Sequence, residues 1–134
     1  MIPIKDLRIG DLVKTTTRNP ILEKGSICKV VLIDALINSI IVQKSDVDVC
    51  RCLVKEEIEG IRLTPDILEK NGWEQEYYAP IIYGHIGHDI EISFLQTSKR
   101  CSVLLNDIAL CEIQYVHQLQ HILWVLGEDA NLII

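Results

Sequence analysis

Residues 114–127 are the segment that most constrains how this chain can fold. They read Gln-Tyr-Val-His-Gln-Leu-Gln-His-Ile-Leu-Trp-Val-Leu-Gly. At about 100° per residue, the stretch separates into two unlike helix faces. The apolar stripe is made of Tyr115, Leu119, Ile122, Leu123 and Leu126, with Val116 at its margin. This period predicts a long helix over residues 114–127 that packs on a core through that stripe.

The opposite face of this helix carries imidazole and indole side chains where a surface helix normally carries charge. Its residues are His117, His121, Trp124 and Glu128. Tryptophan is enriched at protein interfaces, because covering an indole removes about 150–250 Å² from water. We therefore predict a contact here. The sequence leaves open whether the face packs within the chain, against a second copy or against another protein.

The first half of the chain reads as short strands separated by turns, with no helical period. Predicted strands cover Ile27 to Ile33, Ser39 to Gln43 and Val47 to Val54, and residues 56–60 read as an acidic turn. The opening Leu7-Arg8-Ile9-Gly10-Asp11-Leu12-Val13 has the form Leu-x-x-Gly-Asp-x-Val. In this opening and its short strands, the segment resembles an SH3-like barrel, a fold that usually serves as a binding platform. We assign it to residues 1–62.

The second half, residues 63–134, alternates between helix and strand signals. Thr64, Pro65, Asp66 and Gly72 are typical of a helix cap, first turn and stop, and predict a helix over residues 64–72. Antiparallel strands are expected over residues 76–113, as two strands joined by a turn at residues 84–87 and two more at residues 101–105 and 108–113. The apolar end, residues 131–134, is expected to dock rather than fray. With the helix at 114–127, these elements form a lobe, and the predicted fold class is α+β.

Two segments carry a resemblance to known proteins. Ile61-Arg62-Leu63-Thr64-Pro65-Asp66-Ile67-Leu68-Glu69-Lys70-Asn71-Gly72-Trp73 and Tyr115-Val116-His117-Gln118-Leu119-Gln120 resemble a group of uncharacterised small proteins of gut bacteria and their phages. The resemblance implies a mobile-element origin and a shared fold. It carries no assigned activity and no catalytic residue.

Composition places the chain among globular proteins. It has 134 residues, 49% of them apolar, and no apolar run approaches the ~20 residues of a membrane span. The first residues, Met-Ile-Pro-Ile-Lys-Asp, lack the features of a signal peptide. We expect no membrane partner and a cytoplasmic location.

The five cysteines, an odd number without Cys-x-x-Cys spacing, favour reduced thiols. Cys50 and Cys52 share one strand face, and with Cys28 they could form a soft-metal or redox site. Small apolar side chains on a core face explain them more simply.

The net charge of −6 is unevenly distributed and weighs against nucleic acid as a partner. Residues 1–33 carry six Lys/Arg against three acids, whereas residues 34–134 carry seven against sixteen. Any phosphate contacts would come from Lys14, Arg18, Lys24 and Lys29.

Catalytic and cofactor signatures are lacking in the sequence. His117 and His121 have the spacing of two zinc ligands on a helix, but Gln118 stands where a metalloprotease needs a glutamate. No Gly-x-Ser-x-Gly elbow or phosphate-binding loop is found. We therefore predict a binding or assembly protein without catalytic residues, metal or cofactor, which contacts itself or another protein. The alternatives are a protein that sequesters a nucleotide or metabolite, a nucleic-acid-binding barrel and a histidine metal site.

Overall fold

The fold is mostly β. The computed structural model describes residues 2–16, 22–44, 50–78, 81–85, 89–95 and 99–134. Strands hold 48% of these residues and helical turns 19%, so the predicted α+β class is wrong. The chain divides into two compact units, Met1–Ile61 and Arg62–Ile134, each built on a five-stranded antiparallel sheet. Within the described part, no helix is long and apolar enough to cross a membrane.

Unit 1 is an open sheet. Its strands are β1 (Leu12–Thr15), β2 (Ile27–Asp34), β3 (Ser39–Lys44), β4 (Cys50–Val54) and β5 (Ile58–Gly60), in the order β4-β3-β2-β1-β5. Short 3-10 helices cover Ile4–Asp6 and Lys55–Glu57. A barrel closes only when the two outer strands of its sheet pair with each other. Among the described residues, β4 pairs with β3 and the three-residue β5 pairs with β1, so the predicted SH3-like barrel is wrong.

The core of unit 1 follows from the two-residue period of its strands. In β2, Cys28 and Val30 are fully buried while Lys29 between them is exposed. Val13 of β1 and Ile40 of β3 are also fully buried. Residues 56–60 are not the acidic turn predicted, because the 3-10 helix leads directly into β5, whose Ile58 enters this core.

Unit 2 is a five-stranded meander with two helices. Its elements are α1 (Pro65–Lys70), β6 (Trp73–Tyr78), β7 (Ile81–His85), β8 (Ile90–Phe94), β9 (Cys101–Leu105), β10 (Ile108–Ile113) and α2 (Val116–Val125). The strand order β10-β9-β8-β7-β6 pairs each strand with its neighbours in sequence.

One predicted strand of unit 2 is two strands. Residues 76–83 were expected to be continuous, but β6 and β7 pair with each other, with Trp73 opposite His85. Pro80, which lies between them in the sequence, lacks the N–H that a ladder hydrogen bond needs, so the sequence itself disfavours one continuous strand here. Gly84, expected in a turn, lies inside β7 opposite Glu91 of β8.

Helix α1 begins and ends where its sequence indicates. The Thr64 hydroxyl accepts a hydrogen bond from the Ile67 N–H at 3.4 Å, and Pro65 occupies the first turn. Gly72 follows the helix at φ +83°, a left-handed conformation that costs glycine little. The side chain of Tyr83 joins β7 to this helix, because its hydroxyl donates to Glu69 Oε1 at 2.8 Å. Burial and this acidic partner raise the pKa of Tyr83 to about 12.

We expect Tyr83→Phe to lower the free energy of unfolding by about 2 kcal/mol near neutral pH, since it removes one hydrogen bond to a carboxylate. The raised pKa means that Tyr83 stabilises the fold fully below pH 10 and loses this contribution as pH rises through about 12. The difference between the two proteins should therefore shrink over that range. Urea denaturation at several pH values measures it.

Tyr78→Phe is the matched control, because Tyr78 is 79% exposed. Equal stability of Tyr83→Phe and the unmodified protein at pH 7 would show that the hydroxyl contributes nothing.

Candidate functional site

Helix α2 is turned about its axis relative to the predicted orientation. Its buried residues are Val116, His117, Leu119, Gln120 and Leu123. Ile122, expected in the core, is half-buried, and Leu126 is 37% exposed. The buried face of the helix is therefore rotated toward His117 and Gln120. Because neither side chain is apolar, the helical pattern of apolar residues does not identify them as core.

The buried amide of Gln120 explains this orientation. Gln120 is 4% exposed, and its Nε2 donates to the Ala130 carbonyl at 3.1 Å. This bond fastens residues 128–134, which we name the strap. Farther along the strap, Asn71 at the end of α1 donates from Nδ2 to the Ile133 carbonyl at 2.8 Å and accepts from the Ile133 N–H at 2.7 Å. The strap therefore docks on both helices of unit 2.

His117 lies inside unit 2. It is 4% exposed, and its ring stacks on Tyr115 with centroids 5.8 Å apart. It also meets the half-buried His121 edge-on at 5.7 Å. Of the predicted contact face, His117 therefore packs within the chain, one of the options that the sequence leaves open.

Trp124 lies at the protein surface, as part of an apolar group at the end of α2. Trp124 is 65% exposed, Val125 70% and Leu126 37%. We call these three residues the Trp124 surface. His121, one helical turn before Trp124, borders it. Glu128, the fourth residue of the predicted face, lies beyond the end of the helix, is half-buried and lines a cleft.

This cleft lies within unit 2 and has a volume of about 350 Å³. Its apolar lining is Trp73, Ile90, Leu123 and Leu132, and its polar lining is Asn71, His85, Glu128, Asp129 and Asn131. The rings of Trp73 and His85 meet edge-on at 5.5 Å. Sequence reasoning missed this site because its residues come from separate segments, from α1 to the strap.

The structure describes three of the four predicted phosphate contacts, and each lies in or beside the sheet of unit 1. Lys14 is half-buried in β1, with its Nζ 3.4 Å from Glu59 Oε1. Lys29 of β2 pairs with Leu12 of β1, which lies two residues before Lys14, so Lys29 and Lys14 project from the same face of the sheet. Lys24 is exposed in the segment before β2. Arg18 lies outside the described residues. Unit 1 as a whole has nine Lys/Arg and nine Asp/Glu, so its formal charge is balanced.

The cysteines do not converge. Cys50 and Cys52 are exposed on β4, opposite Gln43 and Ile41, whereas Cys28 is fully buried. The simpler explanation, that Cys50 and Cys52 are small apolar side chains on a core face, is therefore also wrong. Across the described ranges, no group of three His, Cys, Asp or Glu could hold a metal ion, and the pair His117 and His121 is part of no such group.

Two carboxyl groups meet on the sheet of unit 2. A Cβ at Gly84 would overlap the carboxylate of Glu76, which shows that this side chain lies over the β7 backbone. Glu91 of β8 is beside it. Burial raises the pKa of Glu91, as do a hydrogen bond with Glu76 and the negative charges of Glu76 and Asp107. The sequence places a glutamate on β6 and another on β8, but only the glycine between them on β7 lets the two carboxyl groups approach.

Comparison with models of protein families, with curated proteins and with solved structures finds no match to this chain. The functional argument therefore depends on the geometry of the Trp124 surface and the cleft.

We expect Glu91→Gln to raise the melting temperature at pH 7, because it removes a charge that the fold disfavours. The raised pKa means that Glu91 stabilises the fold when protonated, below its ordinary pKa of 4.5, and that this contribution is lost as pH rises through its folded pKa. The advantage of the variant should therefore disappear toward pH 4. Thermal unfolding followed by circular dichroism between pH 4 and pH 8 measures it.

Glu23→Gln serves as the control for net charge, since Glu23 is exposed and belongs to unit 1. If both variants changed the melting temperature equally at every pH, the effect would be one of net charge and the carboxyl pair would have no part in it.

Proposed function

We propose that this protein is a non-catalytic assembly protein, which associates with a second copy of itself through the Trp124 surface. The observation that carries this proposal is the exposure of three consecutive large apolar residues, Trp124, Val125 and Leu126, at the end of one helix. Contiguous exposed apolar groups mark interaction sites more often than isolated ones do. Tryptophan is among the residues that contribute most to binding energy when they are covered.

Charge favours a second copy as the occupant. No Lys, Arg, Asp or Glu occurs between Glu112 and Glu128, so the whole of α2 is without formal charge. In a two-fold dimer each residue meets the same surface of the partner, and like charges would oppose each other. Helix α2 avoids this cost, and the two Trp124 surfaces cover each other by apolar contact.

The size of the surface sets the expected strength of association. A covered tryptophan buries about 150–250 Å², whereas a standard interface buries about 800 Å² from each partner. The Trp124 surface alone is smaller than this, even with His121 and Ile122 at its border. We therefore expect a reversible dimer whose population depends on protein concentration.

Cellular location and origin complete the proposal. All five cysteines are free thiols, a state that reducing compartments maintain, and we place the protein in the cytoplasm. The mobile-element origin implied by the resemblance stays a prediction. So does the lack of catalytic activity, which the missing sequence signatures favour.

We expect sedimentation velocity to show a monomer–dimer equilibrium for the unmodified protein between about 1 and 200 μM, the range over which small interfaces associate. Trp124→Ala should shift the midpoint at least tenfold toward higher concentration, because it removes the centre of the contact. Val125→Asp, which places a charge on the same surface, should have the same effect. Circular dichroism verifies that both variants are folded.

The matched control is Tyr78→Ala, which truncates an aromatic residue that is 79% exposed on β6. Its dimerisation should equal that of the unmodified protein. A monomer at all concentrations, or dimers that neither α2 variant weakens, would refute the proposed assembly.

A further inference from the structure

Asn71 and Gly72 form a chemically reactive pair at the end of α1. The Cγ of an asparagine can be attacked by the backbone nitrogen of the next residue, which displaces ammonia from the side chain. Glycine hinders this attack least, because it has no Cβ and adopts the widest range of backbone angles. Among the asparagines of the chain, Asn71 alone is followed by glycine, whereas Pro, Ser, Asp and Leu follow Asn19, Asn38, Asn106 and Asn131.

The same side chain holds the strap, and it uses both halves of its amide to do so. Asn71 Nδ2 donates to the Ile133 carbonyl and to the Ile67 carbonyl, each at 2.8 Å. Asn71 Oδ1 accepts from the Ile133 N–H at 2.7 Å. An ionised carboxylate only accepts hydrogen bonds, so in place of this amide it would face two carbonyl oxygens with no proton between them. Loss of the amide nitrogen therefore removes two hydrogen bonds and adds a repulsion.

The docked strap protects Asn71 from this reaction. The Gly72 N–H donates to the Glu69 carbonyl at 3.2 Å, and the Asn71 amide is fixed by its three hydrogen bonds. The Gly72 nitrogen reaches Cγ only when these bonds break and the side chain turns. Ile133 is 66% exposed, and surface hydrogen bonds of this kind open locally without unfolding of the core. The reaction rate therefore depends on how often the strap opens.

We propose that Asn71 is a site of spontaneous deamidation, and that its conversion releases the strap from α1 in one direction only. The Gly72 nitrogen bonds to Asn71 Cγ and loses its proton, the Cγ–Nδ2 bond breaks, and ammonia leaves a succinimide ring. One water then opens the ring, at Cγ to give aspartate or at the main-chain carbonyl to give isoaspartate. Departure of the ammonia makes the conversion irreversible.

Release of the strap changes the cleft, because Leu132 of the strap is part of its lining. Isoaspartate has a further effect, since it lengthens the backbone by one carbon and displaces the carboxylate. Neither the reaction nor the release depends on assembly through the Trp124 surface.

The first experiment measures the rate of conversion. The full chain is kept at pH 8 and physiological temperature, and peptide mapping by mass spectrometry follows aspartate and isoaspartate at Asn71. Ile133→Pro removes the N–H that Asn71 Oδ1 accepts, and it should accelerate conversion at least about fivefold by opening the strap. Ile133→Ala is the matched control, because it keeps this N–H and shortens an exposed side chain, and it should convert like the unmodified protein.

The second experiment measures the release. Asn71→Asp reproduces one product, and amide hydrogen exchange at pH 7, followed by NMR, reports whether the strap is docked. We expect the Ile133 amide to exchange at least about tenfold faster, while the amides of β8 and β9 keep their rates. Asn38→Asp makes the same charge change at an exposed position of unit 1 and should leave the Ile133 amide unchanged. If Asn71→Asp does not fold, the deamidated fraction of aged protein, separated by ion exchange, replaces it.

Two results would overturn the proposal. Conversion at Asn71 that is absent, or equal in Ile133→Pro and Ile133→Ala, would show that the strap does not control the reaction. An Ile133 amide that exchanges at the same rate before and after conversion would show that the strap stays docked.

Discussion

The hydrogen bond from Gln120 to the Ala130 carbonyl is the interaction on which the rest of unit 2 depends. A buried amide without a partner costs free energy, and the Ala130 carbonyl of the strap is an acceptor that satisfies Gln120 in the interior. Its burial turns α2 so that His117 also lies inside, while Ile122 is only half-buried. It also leaves Trp124 at the surface and brings the strap alongside the sheet to form one wall of the cleft.

Charge separates the possible roles of the two surfaces in unit 2. All of the net charge of −6 belongs to unit 2, since the bases and acids of unit 1 balance. Within unit 2, α2 has no formal charge, whereas the strap beside it begins with Glu128 and Asp129. An uncharged apolar surface suits contact with a second copy, whereas the strap contributes Glu128 and Asp129 to the lining of the cleft. These two different environments are close in sequence because the helix ends at Val125 and the strap begins soon after it, at Glu128.

Local signals were reliable where the stabilising interactions are themselves local. The predicted helix at residues 64–72 corresponds to α1, because its cap, first-turn proline and terminal glycine act within a few residues of one another. The strands predicted at Ile27 to Ile33 and at residues 101–105 likewise correspond to β2 and β9. The longer strand predicted over residues 76–83 failed, because pairing of β6 with β7 divides it, and the sequence pattern does not encode which strand a segment pairs with.

The sequence by itself determined the two helices, most strand positions and the lack of charge along α2. Tertiary structure alone decided that the sheet of unit 1 stays open, that His117 is buried while Trp124 is exposed, and that Glu128 faces a cleft. The physical reason is that hydrophobic periodicity records which side chains prefer burial, but not the partners available to polar ones. Gln120 is buried with the carbonyl of Ala130, ten residues later, as an acceptor of its hydrogen bond. The candidate sites follow from pairings of that kind, between residues that no local pattern connects.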